Sequence, residues 1–167
     1  IEAPNCSHVS LYSWGEPLIH PQLKEIIELF HAEGIAVGLS TNLSHENFDK
    51  IHRTLMAKPD YLKISLSGYY ADAYNSTHQG GDIDLVKSNL YKLKYYIKKM
   101  NLDLIVDINY HMYKNNNRTN FDKMYALSQE LGFVFSNVYS LVMPLERVIN
   151  YINGNPDNQT LELEENL

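Results

Sequence analysis

Polar side chains gather where five short apolar segments of the chain end. Hydroxyl, amide, imidazole and carboxylate groups are the types that hold a polar cofactor or move a proton. The clusters lie at residues 13–17, 40–42, 65–68, 109–113 and 139–140. In parallel α/β architectures, functional groups collect at the carboxyl ends of the strands. Five matched polar clusters therefore predict a lined cleft at one edge of a sheet.

Two of these segments alternate strictly between polar and apolar residues. Side chains of a strand point to opposite faces with period two, which places these polar residues on one face of each strand: Lys63, Ser65 and Ser67, and then Asp107, Asn109 and His111. A strand buried on both faces reads as continuously apolar. The pattern leaves two interpretations open, a face that meets a polar ligand or a face that is simply solvated.

Apolar periodicity predicts the elements that must position these groups. Strands are predicted at 8–13, 35–40, 61–66, 104–110 and 134–139, and helices at 21–33, 45–56, 70–75, from 83 onward, at 121–131 and at 144–152, with Ser44, Asp82 and Asn120 as caps. Repeated strand–helix units imply a parallel sheet with right-handed crossovers. A closed barrel of eight units needs roughly 250 residues. The predicted fold is therefore α/β, an open, partial βα barrel of about five parallel strands over residues 1–153, followed by a polar tail or linker over 154–167.

Composition excludes several function classes. The 167 residues carry a formal net charge of −6, which gives no general attraction to nucleic acid phosphates. No apolar run approaches the ~20 residues that cross a bilayer, so no membrane partner is expected. Cys6 is the only cysteine, which excludes an internal disulfide and favours a reducing, cytoplasmic location; we expect a small buried thiol there. Because the sequence opens at Ile1, we expect a piece of a longer protein.

Four segments in order resemble one enzyme family. They are Gly15-Glu16-Pro17, Thr41-Asn42, Ile64-Ser65-Leu66-Ser67-Gly68, and the Gly80-Gly81 turn with the helix after it. Together they resemble the core of radical S-adenosylmethionine (SAM) enzymes over about residues 10–152. The resemblance is closest to the subgroup whose core precedes a cysteine-rich, SPASM-like auxiliary-cluster domain.

The resemblance implies both a chemistry and a set of site residues. The family binds SAM and a [4Fe–4S] cluster, and cleaves SAM reductively to a 5′-deoxyadenosyl radical that abstracts hydrogen from a substrate. The implied cofactor-binding residues are Gly15, Glu16, Pro17, Thr41, Asn42, Ser65, Ser67, Asn109 and His111. Glu16 would accept hydrogen bonds from the SAM ammonium group. A small molecule or a peptide is the implied substrate.

The sequence also departs from the family pattern. The family holds its cluster with Cys-x3-Cys-x2-Cys, which these residues lack, and Cys6 lies in the wrong place for a ligand. Leu43 stands where the family has glycine after Thr-Asn, and Gln79 where arginine is common. We therefore expect the 167-residue chain to be inactive by itself, whatever its parent protein does.

Two other functions compete with this interpretation. The first is a non-catalytic, degenerate βα barrel kept as a binding or scaffold module, and the residues that precede Ile1 in the parent would decide between it and an enzyme. The second is a phosphate-binding barrel, which needs a glycine-rich loop near the last strand that residues 139–145 do not provide. An open sheet edge also makes self-association possible.

Overall fold

The computed structural model describes residues 5–12, 15–113, 116, 118–139, 145–158 and 160–162. Within them, five parallel strands form one sheet in the order β1-β2-β3-β4-β5. The strands are β1 His8–Ser10, β2 Ala36–Thr41, β3 Tyr61–Leu66, β4 Ile105–Met112 and β5 Val134–Tyr139. The predicted open sheet of parallel strands with flanking helices is confirmed.

Helices connect the strands. They are α1 Leu23–Ala32, α2 Asp49–Met56, α3 Ala71–Asn75, α4 Ile83–Met100, α5 Thr119–Leu131 and α6 Leu145–Ile152, and a 3-10 turn at Pro17–Ile19 precedes α1. The predicted cap of α4 is confirmed, because the Asp82 carboxylate accepts hydrogen bonds from the backbone N–H groups of Asp84 and Leu85. None of the described helices is long and apolar enough to cross a membrane.

Two predicted helix starts are wrong. α2 begins at Asp49 rather than at residue 45, and its first N–H donates to the side chain of Asn47, 2.8 Å away, not to Ser44. Asn120 lies inside α5 instead of capping it, and its Oδ1 accepts hydrogen bonds from the backbone of Tyr69 and Tyr70. In both cases a contact with a distant part of the chain decides the outcome: Asn89 of α4 donates to His45 O at 2.8 Å, and the backbone before α3 binds Asn120.

The structure near the two ends of the chain also differs from the structure predicted from the sequence. β1 ends at Ser10 instead of residue 13, although Leu11 N still donates to Gly38 O, and Ser13 lies outside the described residues. Cys6 is exposed, so the predicted buried thiol is wrong; it lies in an irregular segment before the first strand. In the predicted tail, Asp157 forms an ion pair with Arg147 of α6 at 3.2 Å. Pro144 lies outside the described residues.

The sheet has two unlike faces. Apolar side chains of β2, β3 and β4 face the helices and are almost fully buried: Val37, Leu39, Leu62, Ile64, Leu66, Val106 and Ile108. The opposite face, called the inner face below, carries Ser40, Lys63, Ser65, Asp107, Asn109 and Ser136. Burying one large aliphatic side chain contributes roughly 1.5–3 kcal/mol, so the helix-covered face supplies most of the stability. The inner face is free to be polar.

The turn after β3 depends on a glycine. A Cβ atom on Gly68 would lie 2.5 Å from the backbone N of Tyr74 in α3. Tyr74 is fully buried, and its ring also lies where a Cβ on Gly81 would be. Helix α3 can therefore pack directly over the carboxyl end of β3 only because residues 68 and 81 lack side chains.

We predict that Gly68→Ala destabilises the fold by about 1–3 kcal/mol, the usual cost of overpacking against backbone that cannot move aside. Gly15→Ala is the matched control, since a Cβ at Gly15 has no atom within 4 Å. Urea unfolding followed by circular dichroism measures both variants. Equal stability of the two would show that α3 does not pack as described.

Candidate cofactor-binding site

The Gly15-Glu16-Pro17 loop is tied to the end of β2 by the Glu16 carboxylate. Glu16 Oε1 accepts a hydrogen bond from Leu18 N at 3.1 Å, and Oε2 accepts from Thr41 Oγ1 and from Asn42 N, each at 3.0 Å. The first contact caps the 3-10 turn. Two sequence motifs that lie 25 residues apart therefore meet through one side chain.

The Glu16 carboxylate is directed at the end of β2 and at its own loop. Thr41 is 2% exposed and pairs with Ile64, so its side chain lies on the helix-facing side of the sheet. A carboxylate has about four acceptor positions, and three hydrogen bonds already use most of them. Glu16 organises the loop, and a direct contact between Glu16 and a SAM ammonium group stays a prediction.

Residues 43–45 continue this edge in an irregular conformation. Leu43 has φ +56°, the left-handed region that favours glycine, and is fully buried. Asn89 of α4 fixes the segment, because its Nδ2 donates to Leu43 O at 3.1 Å and to His45 O at 2.8 Å. The position where the family has glycine therefore keeps a glycine-like backbone, which burial and Asn89 impose on a leucine.

Asp107 organises the inner face. Its Oδ2 accepts a hydrogen bond from the Tyr61 hydroxyl at 2.6 Å, and the Ser136 hydroxyl lies 2.8 and 2.9 Å from its two oxygens. Burial and this hydrogen bond to Asp107 raise the pKa of Tyr61 well above its ordinary value. The phenol therefore stays a donor, and Asp107 links three neighbouring strands, β3, β4 and β5.

The same network orients Asn109. Because Ser136 gives its hydroxyl hydrogen to Asp107, Ser136 Oγ accepts from Asn109 Nδ2, at 2.8 Å. This assigns the nitrogen of the Asn109 amide to the β5 side and leaves its carbonyl oxygen available as an acceptor. Ser65 is the register partner of Asn109 and lies 3.3 Å from Ser40, hydroxyl to hydroxyl. Half-buried hydroxyl and amide groups thus lie side by side across β2, β3 and β4.

Ser67 belongs to a different contact set. It is 1% exposed and contacts the hydroxyl of Thr77 and, at 2.9 Å, Nδ1 of His78. Asn116 Nδ2 donates to the carbonyl oxygens of Ser67 and His111, which ties the carboxyl ends of β3 and β4 together. Burial lowers the pKa of His78. Burial lowers the pKa of His111 too, and repulsion by His78 when it is protonated and by the Lys63 ammonium group adds to this. Both imidazoles are therefore neutral near pH 7.

An open groove lies against the glycine loop. Its volume is about 610 Å³, within the range of small-molecule sites, and residues 11–12, 15–17 and 19–21 line it. Tyr12 connects the groove to the inner face, because its ring lies 4.6 Å below the Lys63 ammonium group.

The predicted site residues therefore fall into four sets at one edge of the sheet. Gly15, Glu16 and Pro17 form the loop beside the groove, and Thr41 and Asn42 hold that loop. Ser65, Asn109 and His111 lie on the strands that form the inner face. Ser67 is buried and has its own partners.

Sequence reasoning missed Asn89, although a polar residue within the apolar stripe of α4 indicates a buried hydrogen-bonding role. It also missed Asn116, which nothing distinguishes from its asparagine neighbours.

Nothing in the described part of the chain resembles a metal site. The described residues contain no group of three His, Cys, Asp or Glu side chains that could hold a metal ion. The whole sequence carries one cysteine, whereas iron–sulfur clusters are held by several thiolates. The residues present therefore do not fit a [4Fe–4S] cluster.

We predict that Glu16→Gln destabilises the protein by about 1–3 kcal/mol. A glutamine has the same shape, but its amide nitrogen must face either Leu18 N or Asn42 N, and both are donors. Glu28→Gln is the control, since Glu28 only forms an exposed ion pair with Lys24 at 2.9 Å. Urea unfolding compares the two, and an equal loss would contradict the structural role of Glu16.

We predict that stability decreases as the pH falls below neutrality, in part through His78. Its pKa is lowered in the fold, mainly by burial. Near pH 6.5, where a free histidine takes up a proton, the unfolded chain therefore binds more protons than the folded one, and acid favours unfolding. His78→Gln should reduce the slope of unfolding free energy between pH 7 and pH 5. An unchanged slope in His78→Gln would show that His78 is not buried as described.

Comparison with known proteins supports the predicted family. No family model matches the chain. A curated relative, the S-adenosyl-L-methionine-dependent tRNA 4-demethylwyosine synthase of Methanocaldococcus jannaschii, is 34% identical over 74 residues, which are 44% of this chain and 22% of that enzyme.

Solved structures extend the likeness over most of the chain. TYW1 with a lysine–pyruvate adduct bound has a TM-score of 0.64 at 23% identity, covering 82% of this chain and 43% of that one. Streptococcus suis SuiB bound to S-adenosylmethionine has a TM-score of 0.62 at 15% identity, covering 90% and 38%. SuiB bound to its precursor peptide SuiA has a TM-score of 0.61 at 14% identity, covering 88% and 36%. The chain spans less than half the length of each of these proteins. Its predicted resemblance is confirmed: these residues have the fold of the core of the radical SAM enzymes TYW1 and SuiB.

Proposed function

We propose that this chain forms the SAM-binding part of a radical SAM enzyme core. The observation that carries the proposal is the pair Ser65 and Asn109, register partners on the inner face near the carboxyl edge, with the Asn109 carbonyl oxygen left unused by its network. Half-buried hydroxyl and amide groups suit the hydroxyl groups of a ribose. The glycine loop lies at the same edge, held there by Glu16.

Each set of residues has its own part in binding. Ser65 and Asn109 offer hydrogen bonds to the cofactor, and the Asp107–Ser136 pair keeps Asn109 in one orientation before the cofactor arrives. His111, neutral near pH 7, adds a further donor or acceptor two residues along β4. Gly15 allows backbone to approach a ligand in the groove, since no atom lies near the position of a side chain there.

The chemistry itself needs a second cofactor. When SAM is bound beside a reduced [4Fe–4S] cluster, the chemistry it supplies is abstraction of a hydrogen atom from a substrate by a radical. The thiolates for such a cluster are not among these 167 residues, which carry one cysteine. We therefore propose that the chain by itself binds SAM without cleaving it, and that the inner face receives a small molecule or a peptide.

We predict that the 167-residue chain binds SAM and that Asn109→Ala weakens this binding about 5- to 30-fold, the equivalent of one or two hydrogen bonds. Asn137→Ala is the matched control, because Asn137 lies on β5 beside Ser136 but on the opposite face, where its Nδ2 contacts Met112 Sδ at 3.3 Å. Isothermal titration calorimetry measures both.

Two outcomes of this titration would contradict the proposal. The first is a wild-type chain that does not bind SAM at all, which would favour a non-catalytic scaffold module. The second is equal affinity in the Asn109 and Asn137 variants, which would place the cofactor away from the inner face.

A further inference from the structure

Lys63 is the one lysine on the described inner face, and it lies in the middle strand of the sheet. Its register neighbours are Ser40 on β2 and Asp107 on β4. The side chain is half-buried, and its strand pairs with β2 on one side and with β4 on the other. An anion beside this ammonium group would gain a charge-assisted hydrogen bond.

No carboxylate among the described residues pairs with this charge. The ion pairs found there do not include Lys63. Its neighbour Asp107 is the nearest acid along the register, but both oxygens of that carboxylate already accept hydrogen bonds from Tyr61 and Ser136. The Asp107 carboxylate therefore connects neighbouring strands. The Lys63 ammonium group has no anionic partner among the described residues.

Lys87 is a lysine of the same protein whose charge has an anionic partner. Its ammonium group also lies over a tyrosine ring, 4.1 Å from the centre of Tyr69, but it forms an ion pair with Asp84 at 3.1 Å. Lys63 has the tyrosine, Tyr12, without the acid. Lys87 therefore has an anionic partner that Lys63 lacks.

One hydrogen-bond donor lies beside Lys63. Ser40 is its register partner on β2, and the Ser40 and Ser65 hydroxyl groups share one hydrogen bond, so one of their two hydrogens is not used between them. Tyr12, which contacts Lys63, also lines the open groove beside the glycine loop. Tyr12 therefore connects the ammonium group to this groove.

We propose that Lys63 binds a carboxylate group of the substrate, with Ser40 as the supporting donor. This inference rests on the proposed function and narrows it to substrates that carry a carboxylate, such as an amino acid side chain, a peptide end or a small organic acid. Lys63 lies two residues before Ser65 on β3, deeper in the sheet than the residues proposed to hold the cofactor.

Charge favours a carboxylate over a phosphate. The site offers one lysine, and the buried Asp107 carboxylate lies next to it in register. A carboxylate brings one negative charge, which the lysine balances. A phosphate monoester carries about −1.5 to −2 near pH 7, and the excess would be repelled by Asp107.

The test is a titration of the 167-residue chain with sodium propionate, inorganic phosphate and SAM, each alone, followed by NMR. Wild type is compared with Lys63→Met, Lys63→Arg and Lys87→Met. We expect Lys63→Met to weaken propionate binding at least about tenfold, as loss of a charged hydrogen bond does. Lys63→Arg should keep most of the binding, Lys87→Met should leave it unchanged, and phosphate should bind more weakly than propionate.

The outcomes separate this inference from the proposed function. Equal propionate binding in wild type and Lys63→Met, or tighter binding of phosphate than of propionate, would overturn the carboxylate site. A matching loss of SAM affinity in Lys63→Met would assign the carboxylate to the cofactor instead of the substrate and would overturn the inference as well. Lys63-dependent binding of propionate in a chain that does not bind SAM would retain the anion site and refute the proposed function.

Discussion

Parallel register between β3 and β4 is the constraint on which the rest of the structure depends. Six consecutive residue pairs run from Tyr61 with Ile105 to Leu66 with Tyr110. The four central pairs alternate: the aliphatic pairs of Leu62 and Ile64 face the helices, and the polar pairs of Lys63 and Ser65 face the inner side. A slip of one residue would bury Lys63 and Asp107 under the helices. The apolar face drives folding, and for that reason the other face is free to carry groups that bind a ligand.

Side chains that bind backbone hold the carboxyl edge in place. Glu16 ties the glycine loop to β2, Asn89 ties residues 43–45 to α4, and Asn116 ties β3 to β4. Each satisfies backbone groups that regular strands and helices leave unpaired at their ends. The edge is therefore organised before any ligand binds, which reduces the ordering cost of binding.

Sequence reasoning reached the fold because strand and helix periodicity are local signals. The bounds of β3 and β5 agree with the predicted ones, and the polar face of β3 and β4 follows directly from alternation. The direction of Glu16, the late start of α2 and the position of Asn120 were out of reach. Each is decided by a partner dozens of residues away, Thr41, Asn89 and the Tyr69 backbone, and single-sequence patterns carry no information on such contacts.

The central claim is that the inner face, and not the helix side, receives the adenosyl cofactor. Chemical-shift mapping of the isotope-labelled chain by NMR, with and without SAM, tests it most directly. The account predicts that the largest shifts fall on the backbone amides of Ser65, Asn109 and His111 and on the glycine loop. Shifts confined to the helices, or no shifts at saturating SAM, would contradict it.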